Sequence, residues 1–157
     1  MEGGDPNWIC TLRADAETVG SLRFETRHRA IGEVDGRTWV LAVRGQVLRG
    51  EIAVTEIGSA EPAAIFTQKW TGGGLVTFPN GVQYCWNPSY IWSTTYCFRR
   101  GSKAASVCVA HGQVSKNGLA VQICPGAAAM PETPVLVLLS GFLEVLHLEK
   151  LANLARM

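Results

Sequence analysis

The segment PETPVLVLLSGFLEVLHLEKL, Pro131 to Leu151, is the most apolar stretch of the chain and the one that most restricts its fold. Its apolar run from Val135 to Leu148 is 14 residues, about 21 Å of helix at 1.5 Å per residue. A bilayer core is roughly 30 Å thick and takes around twenty residues to cross. Glu144 and His147 interrupt the run, and each is costly in hydrocarbon. No transmembrane span is expected. A surface helix fits no better. Val135, Leu136, Val137, Leu138 and Leu139 are consecutive, so a helix would turn them to every side of its axis. A helix apolar all round has to be surrounded by protein. Pro134 suits the opening of such a helix, with Glu132 and Thr133 suited to its N-terminus.

What surrounds it must come from residues 1–130, and these read as strands. SLRFETR puts Leu22 and Phe24 on one face, and TWVLAVR groups Trp39, Leu41 and Val43. VQYCW groups Val82, Tyr84 and Trp86; WSTTYCF groups Trp92, Thr94, Tyr96 and Phe98; LAVQI groups Leu119, Val121 and Ile123. A period of two in β-branched and aromatic residues marks strands, because successive side chains leave opposite faces. Asp35-Gly36, Asn80-Gly81 and Asn117-Gly118 can supply the positive φ of tight hairpins. TGGGL at 71–75 is a turn or bulge and not a phosphate loop, since no GK[ST] follows it.

Strands are expected near 7–13, 20–33, 37–44, 47–57, 63–70, 75–79, 82–87, 91–99, 104–111 and 118–124. About eight strands close into a barrel that their own side chains fill, whereas a wider ring leaves a lumen that needs a plug. The expected fold is therefore mainly β: a closed antiparallel barrel of ten to twelve strands around a central hydrophobic C-terminal helix. All 157 residues form one domain in this reading, with strands over about 7–124, a Pro-rich connector over 125–134 and the core helix over about 134–151.

Composition narrows the function. A net charge of +1 with no block of like charges lacks the basic footprint of a nucleic-acid binder. Cys10, Cys85, Cys97, Cys108 and Cys124 are odd in number and show no CxxC spacing, which argues against a zinc site and a disulfide framework. They read as reduced, small apolar fillers. MEGGDPNW has neither a basic nor an apolar leader region. A cytoplasmic protein is expected, with peripheral membrane docking as an option.

The order of short strands, then WTGGGLVTFPNGVQYCWNP, TTYCFRRG and a Pro-flanked apolar C-terminal helix, resembles the tubby-like superfamily. That group includes tubby C-terminal domains, phospholipid scramblases and LURP-one-related proteins. The similarity, over about Trp8 to Leu148, is greatest to its small bacterial members. It implies a twelve-stranded barrel around a central helix, and a binding or scaffold module rather than an enzyme. Tubby domains hold phosphoinositide headgroups on basic residues of the barrel wall. The corresponding lysine and arginine do not align here, and no functional residue is carried over.

From the residues themselves, Arg23, Arg27 and Arg29 in LRFETRHRAIG share one face of the expected 20–33 strand. A row of guanidiniums can hold phosphate oxygens bidentately, which suits an anionic phospholipid headgroup. Glu25 in the same row offsets part of that charge, so a plain solvated face is the competing reading. Arg44, Arg49, Arg99, Arg100 and Lys103 can extend the patch only if folding gathers them.

The cluster Trp86, Tyr90, Trp92, Tyr96 and Phe98 reads as core packing, with Tyr90 the most exposed. Glu144 and His147 read as the place where the helix leaves the lumen and meets solvent. Half a metal site is the weaker reading, since no third ligand is evident. Ser106, Cys108 and His111 complete no recognisable nucleophile–base motif, and GxSxG and HExxH are absent. No catalytic residue, metal or cofactor is assigned. The expected function is a non-enzymatic module that docks on anionic phospholipid or on a protein partner. A small-molecule barrel is the alternative, and a surface enzyme follows it.

Overall fold

A computed structural model describes residues 8–14, 17–45, 50–68, 73–88, 96–99, 114–115, 118–120 and 130–155. From β1 (Trp8–Ala14) through β2 (Glu17–Thr26), β3 (Arg29–Val34), β4 (Arg37–Arg44), β5 (Glu51–Glu56), β6 (Ala64–Gln68), β7 (Gly74–Thr77) and β8 (Gln83–Pro88), each strand pairs antiparallel with the next. β9 (Tyr96–Arg99) extends this meander beyond β8. At the other edge β1 takes a parallel neighbour, β11 (Gly118–Ala120), which pairs in turn with the two-residue β10 (Val114–Ser115). The chain ends its described part in α1 (Thr133–Ala155).

Turn chemistry explains the hairpins. Asp35 and Gly36 both take positive φ, 53° and 74°, the combination that a two-residue hairpin with the natural strand twist requires. At the β7–β8 turn, Asn80 Oδ1 accepts the Val82 N–H at 3.1 Å, while Gly81 carries φ of 86°. The β2–β3 turn, Arg27-His28, lies inside what reads from the sequence as a single strand over 20–33. It holds no Gly, Pro, Asn or Asp. Instead Thr26 Oγ1 accepts the His28 N–H at 3.2 Å, the weaker hydroxyl version of a turn-forming side chain. A register shift between Phe24 and Thr26 gives β2 one extra residue, and such bulges bend a strand and re-aim its side chains.

Two expectations are corrected by the pairing. The antiparallel meander from Trp8 to Pro88 has eight strands rather than ten to twelve, with only short strands added at its edges. The ring is also not closed: among the described residues β9 and β10 are the two edges of one open sheet, and its β1–β11 pair is parallel.

The alternation seen in the sequence sorts the strands into two faces. Leu12, Leu22, Phe24, Ala30, Trp39, Leu41, Ile52, Val54, Phe66, Val76, Tyr84, Trp86 and Phe98 are buried and form one core with the helix. Every residue of α1 from Val135 to Val145 is buried, so protein covers this stretch on all sides, as its all-round apolar character demands. The helix packs closest on β1, β2 and β3.

Two contacts orient it. The rings of Phe24 and Phe142 stack with centroids 5.6 Å apart. Gly32 lets Leu138 approach so closely that a Cβ at position 32 would fall 2.7 Å from its Cδ2. Phe24 pairs with Ala30, two residues before Gly32. Two strand residues advance about 6.6 Å and four helix residues about 6 Å, so the two repeats match. α1 therefore runs antiparallel to β3, its start near the Asp35-Gly36 turn and its later half toward the Arg27-His28 turn.

Candidate functional site

The β2–β3 hairpin holds the sequence-derived candidates, in a different arrangement from the one expected. Arg23 faces outward on β2, paired in the ladder with Ile31. Arg29 opens β3 on the same outer face, and Arg27 is exposed in the turn between the strands. The expected single row on one strand is thus corrected: two arginines flank a hairpin and the third forms its tip. The bulge at Glu25 brings that carboxylate to Arg29, with Nε donating to Oε2 at 2.9 Å. Arg27 has no ion pair among the described residues.

The fold adds Arg44 to this end of the sheet. The Val43 N–H donates to the His28 carbonyl at 2.8 Å, so the exposed end of β4 lies against the tip. Arg44 stands opposite Glu51 in the ladder. One apolar side chain breaks the outer surface nearby. Ile9, 59% exposed, pairs directly with Arg23 across β1 and β2.

A second polar constellation sits at the opposite end of the sheet, where sequence reading had singled out nothing. Arg37 forms a two-bond fork with Glu56, Nε to Oε2 at 2.8 Å and Nη2 to Oε1 at 2.9 Å. Its guanidinium also lies 4.8 Å from the centre of the Trp39 ring. Hydrogen bonding to Glu56 raises the Arg37 pKa, and the same bonds hold the Glu56 carboxyl below its ordinary range. Beneath them Trp39 is 1% exposed, and its Nε1 has no hydrogen-bond partner among the described residues. A planar cation over an indole face with a carboxylate fork is a stable lid, and its signal in RTWVLAVR is only the spacing of Arg37 and Trp39 on one strand face.

The helix carries the largest departure from expectation. Glu144, read from the sequence as the point where the helix meets water, is 4% exposed. Burial pushes its pKa up from 4.5 to about 7, because a low-dielectric surrounding disfavours the charged form. Thr133, Ser140 and Glu144 are the buried polar side chains of α1, spaced seven and four residues apart along one stripe. Glu144 is two residues beyond Phe142, so it lies roughly 200° round the axis, on the side turned away from β2 and β3.

Cys10 is buried as expected of a filler, and Cys85 is half-exposed on the outer face. Trp86 and Phe98 belong to the core, and Trp86 meets Phe66 edge-on at 5.8 Å. Arg49, Tyr90, Trp92, Arg100, Lys103, Ser106, Cys108 and His111 lie outside the described residues, as do the side chains of Tyr96, Arg99 and His147. Among the described residues no three His, Cys, Asp or Glu side chains gather as metal ligands, and no helix is long and apolar enough to cross a membrane.

Comparison with known protein families, with curated proteins and with solved structures finds no match to the chain. The resemblance to the tubby-like superfamily therefore rests on the order of strands, motifs and helix alone.

Proposed function

We propose that the protein is a non-enzymatic binding module of the tubby-like type that docks on anionic phospholipid headgroups through its β2–β3 hairpin. The observation that supports this reading most directly is the hairpin tip. Arg27 is exposed there with no ion pair among the described residues, while Arg23 and Arg29 flank it on the outer face. Guanidinium groups present paired N–H donors that match phosphate oxygens. Ile9 beside Arg23 adds an apolar contact of the kind that settles at a lipid interface. Enclosure of α1 within the core leaves the outer face of the sheet as the surface a headgroup would meet, which supports this reading.

A basic side chain near an anionic leaflet contributes about 1 kcal/mol. Such docking is weak per contact, reversible and sensitive to salt. The test is co-sedimentation with phosphatidylcholine vesicles, plain or carrying phosphatidylserine or a phosphoinositide, at low and physiological salt. Binding is expected only with the anionic lipids. Arg27→Glu changes the charge by two and is expected to weaken it roughly thirtyfold at low salt. Failure to bind any anionic vesicle at low salt, or equal binding by the variant, overturns the reading.

A further inference from the structure

Among the described residues the exposed large apolar side chains are two isoleucines, Ile9 and Ile57, each 59% exposed. They lie at opposite ends of the sheet. Ile9 stands beside Arg23 near the β2–β3 tip. Ile57 follows β5, and its N–H donates to the Thr38 carbonyl at 2.9 Å. Lipid docking uses the first end and leaves the second without a role.

The second end is a preformed rim, made by the β3–β4 and β5–β6 turns. In the latter the Ser59 N–H donates to the Glu56 carbonyl at 3.0 Å, and the Ser59 hydroxyl to the Glu61 carbonyl at 3.1 Å. With Gly58 at a φ of 93°, these bonds fix the turn that holds Ile57 out in water. A second molecule meeting this rim finds an apolar anchor already in place.

The two ends also differ in charge. Around the tip, among the described residues, four arginines (Arg23, Arg27, Arg29 and Arg44) stand with two glutamates, Glu25 and Glu51. Around the rim the balance reverses: Glu17, Glu33, Asp35, Glu56, Glu61 and Glu132 stand with two arginines, Arg13 and Arg37. Arg37 and Glu56 already hold each other. Asp35 and Glu61 are exposed on the same rim with no ion pair among the described residues, as Arg27 is at the tip. From Arg37 to Arg44, β4 advances about 23 Å, so a molecule's own tip cannot meet its own rim.

We propose that the β2–β3 tip of one copy docks on the rim of a second copy, Arg27 meeting the rim carboxylates and Ile9 and Ile57 each gaining cover from the facing molecule. Two unlike surfaces make the contact heterologous, so docked copies still offer a tip and a rim, and association continues into rings or chains. Opposite charge steers the encounter, and salt weakens it. The contact does not rest on lipid docking, although both occupy Arg27.

Sedimentation velocity without lipid reads it. At low salt the wild type is expected to sediment faster as its concentration rises toward millimolar. It is expected to slow again in about 1 M salt, where the screening length is about 3 Å. Arg27→Glu and Glu61→Arg, both at exposed positions, each set like charges together and are expected to raise the concentration required roughly tenfold. A chain carrying both changes matches tip to rim once more, so it is expected to recover most of that loss. A wild type that stays monomeric at low salt, single variants that assemble as readily as it does, or a double variant no better than the single ones overturns the proposal.

Discussion

The enclosed stretch of α1 and the β2–β3 hairpin tip treat charged residues in opposite ways. Inside, Glu144 is held without a counter-charge among the described residues, and the protein tolerates it by shifting its protonation equilibrium. Outside, Arg27, Arg29 and Arg44 stay charged in water, and two of them face carboxylates. The contrast teaches that a charge acts on stability where solvent is excluded, and on encounters with other molecules where it is not. Exposed ion pairs gain little because water and salt screen them. Substitutions in the first region should therefore move folding, and those in the second should move binding with folding almost unchanged.

The largest effect is expected at the contact that orients the helix. Phe142→Ala removes the ring stacked on Phe24 at 5.6 Å, and truncating a buried aromatic typically costs about 3–5 kcal/mol. Urea unfolding should show that loss as a lower midpoint. A cost under 1 kcal/mol would mean that the helix is not held by this face, and the contrast between inside and outside would fail with it.

Next comes the pH dependence of stability. Glu144 stabilises the fold fully below about pH 4.5, and this contribution is lost as pH rises toward 7. The quantity to compare is the difference between wild type and Glu144→Gln at pH 5 and pH 8, which isolates this one carboxyl. The variant should gain relative stability as pH rises. A constant difference would place the carboxyl in contact with water.

Gly32 gives a smaller, geometric test. Gly32→Ala forces a methyl against Leu138, whose Cγ would lie 3.2 Å away, and overpacking of this kind costs about 1–3 kcal/mol. Pairing it with Leu138→Val removes both δ carbons, which at 2.7 and 2.8 Å are the atoms most in the way. The double variant should lose less than the sum of the single losses, with a coupling of at least about 0.5 kcal/mol. Strict additivity would show that helix and β3 do not meet there.

Much of this arrangement could be read in advance, for reasons that differ by element. Inner and outer faces of β2, β4 and β8 followed from period-two alternation, because one face of each is buried in a shared core. Five consecutive apolar residues from Val135 required enclosure of α1, and Asp35-Gly36 announced its hairpin by its tolerance of positive φ. The parallel β1–β11 pair and the open ladder depend on which distant edges meet, and periodicity carries no information on that. Glu144 was misplaced because an acid within an apolar run usually marks water, yet its neutral form can be buried. The arginine site was misread for a more local reason: Thr26-Arg27-His28-Arg29 contains none of the residues that punctuate strands.

That turn supplies the smallest expected effect and the sharpest separation of the two regions. The Thr26 hydroxyl accepting the His28 N–H at 3.2 Å is the side-chain bond that closes the tip, and Val43 holds the next carbonyl from β4. Thr26→Ala removes one exposed hydrogen bond, for which a cost of about 0.5–1.5 kcal/mol is an upper range because water replaces the acceptor. The fold should survive with its urea midpoint lowered only slightly. Arg27, however, would lose its fixed direction between Arg23 and Arg29, so binding to anionic vesicles should weaken more than stability does. Equal vesicle binding by Thr26→Ala and wild type would show that the hairpin acts only as a concentration of charge, with no geometry of its own.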